Sequence, residues 1–208
     1  MTFQVWAAFL IAAGIVVVIP GPTIISVISL SIAHGRRAVI PLVIGVTLGD
    51  FVAMSLSLLG LGAVLSASAA LFNTLKMIGA LYLIYLGLKL WRSDPVSGDS
   101  SSSRKPVSGT SLIRSLFVTT ALNPKSIAFF IAFLPLFVNP AARVLPQLLV
   151  LEATFLFLAA VNAAAYAFFS GHLREKVQTP QARRWFNRCG GTALIGAGLL
   201  TATMRRSS

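Results

Sequence analysis

The chain has 208 residues, 56% of them hydrophobic and only 11% charged, with a mean hydropathy of +0.86. Soluble domains carry about 25% charged residues, so a water-soluble fold could not cover this much apolar surface. A net charge of +12 would suit nucleic acid if it formed one patch, but the basic residues stand between long apolar runs, where membrane orientation explains them.

At roughly 20 apolar residues per crossing, the length allows about six transmembrane helices, with short loops and no sizeable extramembrane domain. The N-terminus lacks the basic stretch of a signal peptide, and its apolar run is too long for one, so it reads as a mature first helix. That first segment covers 3–33, is interrupted by Pro20-Gly21-Pro22, and ends at His34-Gly35-Arg36-Arg37. The second covers 38–67 and the third 70–91.

Residues 93–110, rich in Ser, Gly and Pro, read as a flexible cytoplasmic linker. The fourth segment covers 111–138 and is interrupted at Asn123-Pro124-Lys125. The fifth covers 144–171; a basic connector from His172 to Arg184 leads to the sixth, 185–204. No segment has the ten-residue alternation of a membrane β-strand. The predicted class is all-α, a polytopic membrane protein.

Lys and Arg concentrate in the loops after the first, third and fifth segments, among them Arg36, Arg37, Lys89, Arg92, Arg174 and Lys176. The positive-inside rule then puts these loops in the cytoplasm of a bacterial inner membrane and both termini outside. The two parts, 1–92 and 111–208, also look related. Each opens with a Pro-broken segment, and Lys76, Gly79 and Leu83-Ile84 are echoed by Arg188, Gly191 and Leu194-Ile195. An odd number of crossings per part makes such a duplication an inverted repeat, the plan of many secondary transporters.

The breaks carry most of the functional signal. Pro20 and Pro22 have no amide hydrogen, so carbonyls near Val16 and Val18 lose their helical partners where water is scarce. Gly21 can cap and Pro22 suits a first helical turn, which predicts free amides at Thr23, Ile24 and Ile25, a seat for a substrate carboxylate. Asn123 is a preferred N-cap, Pro124 a preferred first residue, and Lys125 adds a positive charge. A simple kink is the bland reading of either break, but two at corresponding places favour a functional pair.

Asp50 sits mid-segment after Gly45 and Gly49, whose spacing lets a neighbouring backbone approach. A carboxylate at the bilayer centre costs roughly 3 kcal/mol on insertion scales and should face the protein interior. Its expected role is a titrating group that couples protons to substrate, or a partner for the substrate's ammonium; the structural alternative is an ion pair with Lys125. Glu152 lies near enough to a segment end to reach an interface, and Asn162 reads as an interhelical hydrogen bond. Tyr82, Tyr85, Trp91, Trp6 and Trp185 read as interfacial or packing aromatics, and His34 and His172 suggest no site. No cofactor or metal site is visible, and no nucleophile–base pair.

Together these residues resemble the lysine exporter and homoserine/threonine resistance (LysE/RhtB) superfamily of bacterial efflux transporters. The matching features are Pro20-Gly21-Pro22, Gly45 with Gly49-Asp50, Lys76 through Gly87, Asn123-Pro124-Lys125 with Phe129-Phe130 and Phe133-Leu134-Pro135, and Trp185 with Arg188 and Gly191. They cover the whole chain in order. One departure is Leu136, where many members have Gln. The resemblance implies export of an amino acid or derivative from the cytoplasm, driven by protons or the membrane potential. It leaves open which amino acid, and whether the protein works alone or as a homodimer.

Other classes fit less well. Cys189 alone cannot form and break a disulfide within one chain, as an electron carrier of similar topology would. A divalent-metal exporter needs several intramembrane oxygen ligands, for which Asp50, Glu152 and Asn162 are few. A membrane scaffold needs no buried charge.

Overall fold

The computed structural model describes residues 1–67, 69–92, 108–139, 142–177 and 180–203, so most of the 93–110 linker lies outside the described residues. Those residues form α1 (Phe3–Val18), α2 (Pro22–His34), α3 (Val39–Ala67), α4 (Ala69–Arg92), α5 (Gly109–Ala121), α6 (Pro124–Phe133), α7 (Val144–Val177) and α8 (Pro180–Thr203). Short 3₁₀ turns at Gly35–Ala38 and Leu134–Phe137 follow α2 and α6. The described fold is all-helical.

Local chemistry sets the helix ends. Thr2 caps α1, its hydroxyl accepting from the Val5 amide at 3.4 Å. Gly35 ends α2 with φ of 69°, a left-handed conformation that glycine adopts without a Cβ clash. Ser108 caps α5, accepting from the Ser111 amide at 3.3 Å, so the helix begins before residue 111 and takes in the end of the expected linker. Likewise α7 runs on to Val177 and α8 starts at Pro180, so most of the expected connector is helix. Hydropathy falls where a chain leaves lipid, but Lys and Arg are good helix formers and the backbone bonds continue past that point.

Among the described residues, two stretches are long and apolar enough to cross a membrane, Pro22–Gly60 and Val144–Ser170. A third is the pair Gly109–Ala121 and Pro124–Phe137, bent by 46° at Asn123. Phe3–Val18 and Ala80–Lys89 are apolar but shorter.

Glycines bring helices into backbone contact. A Cβ on Gly45 would stand 2.7 Å from the Ile113 carbonyl, and one on Gly49 2.8 Å from that of Phe117, so α3 lies directly on α5. This is the close approach the Gly45–Gly49 spacing predicts. In the same way a Cβ on Gly87 would meet the Gly191 carbonyl at 2.6 Å, and one on Gly198 the Ala80 carbonyl at 2.7 Å, which locks α4 antiparallel to α8. The echoed residues Leu83 and Leu194 meet in one buried cluster with Ala128 and Ala132 of α6.

Helix α7 packs against α1, α2 and α3. Along α3 and α7 the interior is layered. Leu42 and Val46 join Ala163 and Ala167 in one apolar cluster, while Ala53, Met54 and Leu58 join Leu151, Phe155 and Ala159 in another. The second cluster is rich in aromatic contacts, with Phe130 edge-on to Phe155 at 4.8 Å and Phe129 tilted against Phe133 at 5.1 Å between ring centres. Leu136, the departure from the expected Gln, packs against this cluster. Between the two layers lie Asp50 and Asn162.

Candidate functional site

The first break falls where expected, between Val18 and Pro22, with Gly21 as N-cap and Pro22 as first residue of α2. Every carbonyl exposed at the end of α1 has found a donor. Ile15 O accepts from the Ile19 amide, Val17 O from Asn162 Nδ2 at 3.1 Å, and Val18 O from the Tyr166 hydroxyl at 3.0 Å. Val16 O and Ile19 O both accept from Lys125 Nζ, at 3.0 and 2.9 Å. Helices α6 and α7 thus replace the bonds the prolines removed, and Asn162 makes the interhelical bond expected of it.

Of the three amides expected to be free, that of Ile25 bonds to the Gly21 carbonyl at 2.9 Å. Those of Thr23 and Ile24 come too early in α2 to have helical acceptors, and Gly21 offers no side-chain cap.

The second break follows its predicted form. Asn123 caps α6, its Oδ1 accepting from the Lys125 amide at 3.1 Å, and Pro124 is the first helical residue. The other end of the same side chain reaches the first break, where Asn123 Nδ2 donates to Thr23 Oγ1 at 3.0 Å. Thr120 donates to the same oxygen at 3.4 Å. The Lys125 stem lies over Gly21, whose Cβ would stand 3.4 Å from Nζ.

Asp50 faces this junction. It is 5% exposed, and its Oδ1 is buried without a hydrogen-bond partner. The Lys125 ammonium and the Ser126 hydroxyl line the same cavity. Lys125 spends its hydrogen bonds on the α1 carbonyls, so the arrangement differs from a closed Asp50–Lys125 pair. Thr23, Asp50, Asn123 and Lys125 line one cavity of about 30 Å³, with Ser126 and Asn162 beside them. That holds about two water molecules.

Of the remaining site candidates, Pro20, Gly21, Pro22 and Pro124 shape the breaks, while Gly45 and Gly49 seat α5 and do not line the cavity. Sequence reasoning missed Ser126; its position three residues after Asn123, in the first turn of α6, was the available signal. Glu152 departs from its expected place at an interface. It is 9% exposed and accepts from the Ser55 hydroxyl at 2.7 Å, because α3 covers that face of α7. Among the described residues no cluster of three or more His, Cys, Asp or Glu could hold a metal.

The family model for LysE type translocators matches residues 14–205. The chain belongs to this family. LysE proteins are membrane transporters of small molecules, not enzymes. This LysE chain is 30% identical over 207 residues to the homoserine/homoserine lactone efflux protein of Salmonella typhimurium, covering 100% of both chains. It is 32% identical over 164 residues to the leucine efflux protein of an Enterobacter species, covering 78% of this chain and 77% of that one. It is also 31% identical over 205 residues to an uncharacterized membrane protein of Vibrio cholerae, covering 99% and 100%. No solved structure matches it.

Proposed function

We propose that this protein exports amino acids or closely related small metabolites from the bacterial cytoplasm by secondary active transport, with Asp50 carrying a coupled proton. One observation carries the reading: two interrupted helices meet through Thr23 and Asn123 beside a buried, incompletely partnered carboxylate. Half-helix N-termini attract a carboxylate, so the junction offers the acid end of an amino acid a partner, beside a group that can take up a proton. The efflux activities named for the Salmonella and Enterobacter relatives support the same class of substrate.

The proposed architecture is six crossings in two inverted three-helix repeats, 1–92 and 111–208, the broken pairs α1–α2 and α5–α6 each making one crossing. Reciprocal packing supports it: α3 rests on α5 and α6, and α7 on α1 and α2. Both termini then face outward.

The cavity of about 30 Å³ is far smaller than the roughly 300 Å³ of a small-molecule site. Transport therefore requires one apolar layer to part while the other stays shut. Since the glycine contacts join α3 to α5 and α4 to α8, the bodies that move are these pairs, each mixing the two repeats.

The test is export from proteoliposomes or inside-out vesicles using a panel of labelled amino acids, homoserine and leucine first, with and without a proton gradient. Gradient-dependent movement of at least one is expected. Movement of a divalent metal ion with no amino acid moving would replace this reading.

A further inference from the structure

The four carbonyls at the end of α1 are not satisfied alike. Val17 O and Val18 O take neutral donors, Asn162 and Tyr166. Val16 O and Ile19 O instead share one ammonium, at 3.0 and 2.9 Å. Burying an ammonium costs far more than burying an amide, and the neighbouring carbonyls show that neutral donors suffice for hydrogen bonding alone. Positive charge is therefore what this spot selects. Its sources are at hand: the carbonyl end of a helix carries the negative pole of its dipole, and the unpartnered Oδ1 of Asp50 lines the same cavity.

From these contacts we infer that the carbonyl end of α1, with Asp50, is a binding seat for a small monovalent cation of ammonium size, and that Lys125 fills it as a tethered ion. The two carbonyls hold the ammonium directly and the Asp50 carboxylate faces the same cavity without bonding to it, all-oxygen surroundings that suit a cation, and half-helix C-termini hold coupling ions in other transporters. Lys125 reaches the seat from the second break, its stem crossing Gly21, so the protein supplies its own cation and needs none from solution. The inference concerns what fills the seat and does not depend on which solute is exported.

The test removes the tether and offers the ion. Full-length Lys125→Ala protein, purified in detergent, is melted in methylammonium chloride and in choline chloride at equal ionic strength, choline being too large for the seat. At a free concentration about five times Kd, methylammonium should raise the Tm of the variant saturably by about 3 °C over choline, with no such difference in the wild type. The Lys125→Ala, Asp50→Asn double variant should lose the response, and a full response there would remove Asp50 from the seat. Lys125→Ser leaves the same space at the seat and should respond as Lys125→Ala does, which covers the case where the alanine variant does not fold. Equal melting in the two salts overturns the inference, as does failure of both single variants to fold in either salt, since a bound ion should then substitute for the missing charge.

Discussion

Asn123 Nδ2 donates to Thr23 Oγ1 at 3.0 Å across 100 residues of chain, tying the cap of one interrupted helix to the first turn of the other. Both side chains are buried and line the cavity beside Asp50.

Replacing Asn123 by Ala should remove a helix cap and a buried hydrogen bond together, at a cost of about 2 kcal/mol. In a chain of this length that lowers Tm by about 4–8 °C. Thr23→Val leaves Asn123 Nδ2 without its partner, so the double variant should lose less than the sum of the single losses. Thermal melts of the three variants read this directly.

Asp50→Asn keeps the shape of the cavity wall and removes the charge. Proton-driven export should fall to the level seen without a gradient, because an amide cannot take up and release the proton. Thermal stability should fall, because the buried Lys125 ammonium loses the carboxylate that faces its cavity. Undiminished gradient-driven transport by this variant would take Asp50 out of the mechanism.

Two of the helical glycines make opposite predictions. Gly49→Ala forces a Cβ to within 2.8 Å of the Phe117 carbonyl, so α3 and α5 must separate at a cost of about 1–3 kcal/mol. Gly14, inside α1, has nothing within 4 Å of its Cβ position, and Gly14→Ala should stabilise by about 0.5–1 kcal/mol. Tm shifts of opposite sign are the expected result.

Asn162→Leu strips the Val17 carbonyl of its donor and should cost about 1–3 kcal/mol. Tyr166→Phe does the same to Val18, but on a more exposed bond, and should cost less than about 1 kcal/mol. Similar losses in the two melts would mean that α7 holds the end of α1 by packing alone.

Much of this site could be read from residue types alone, because the signals were local. Proline cannot continue a helix but suits the first turn of the next, asparagine before proline caps that helix, and a carboxylate amid apolar residues must turn inward. Thus both breaks, both caps and the burial of Asp50 were legible. The donors to the cut carbonyls were not: Lys125 lies 106 residues from Ile19 and Tyr166 lies 148 from Val18. Only the packing of α6 and α7 brings them there. Glu152 misled for a related reason, since its nearness to a helix start says nothing of the Ser55 that α3 sets against it.

The glycine contacts also bear on how the chain comes to be folded. Gly45 and Gly49 are completed by residues of α5, and Gly87 by residues of α8, so each interlocking surface is written partly before the linker and partly after it. Neither portion can bury its own seams during synthesis. A gene cut within the codons for 93–107 should therefore yield two fragments that are unstable when made separately and that regain transport when made together.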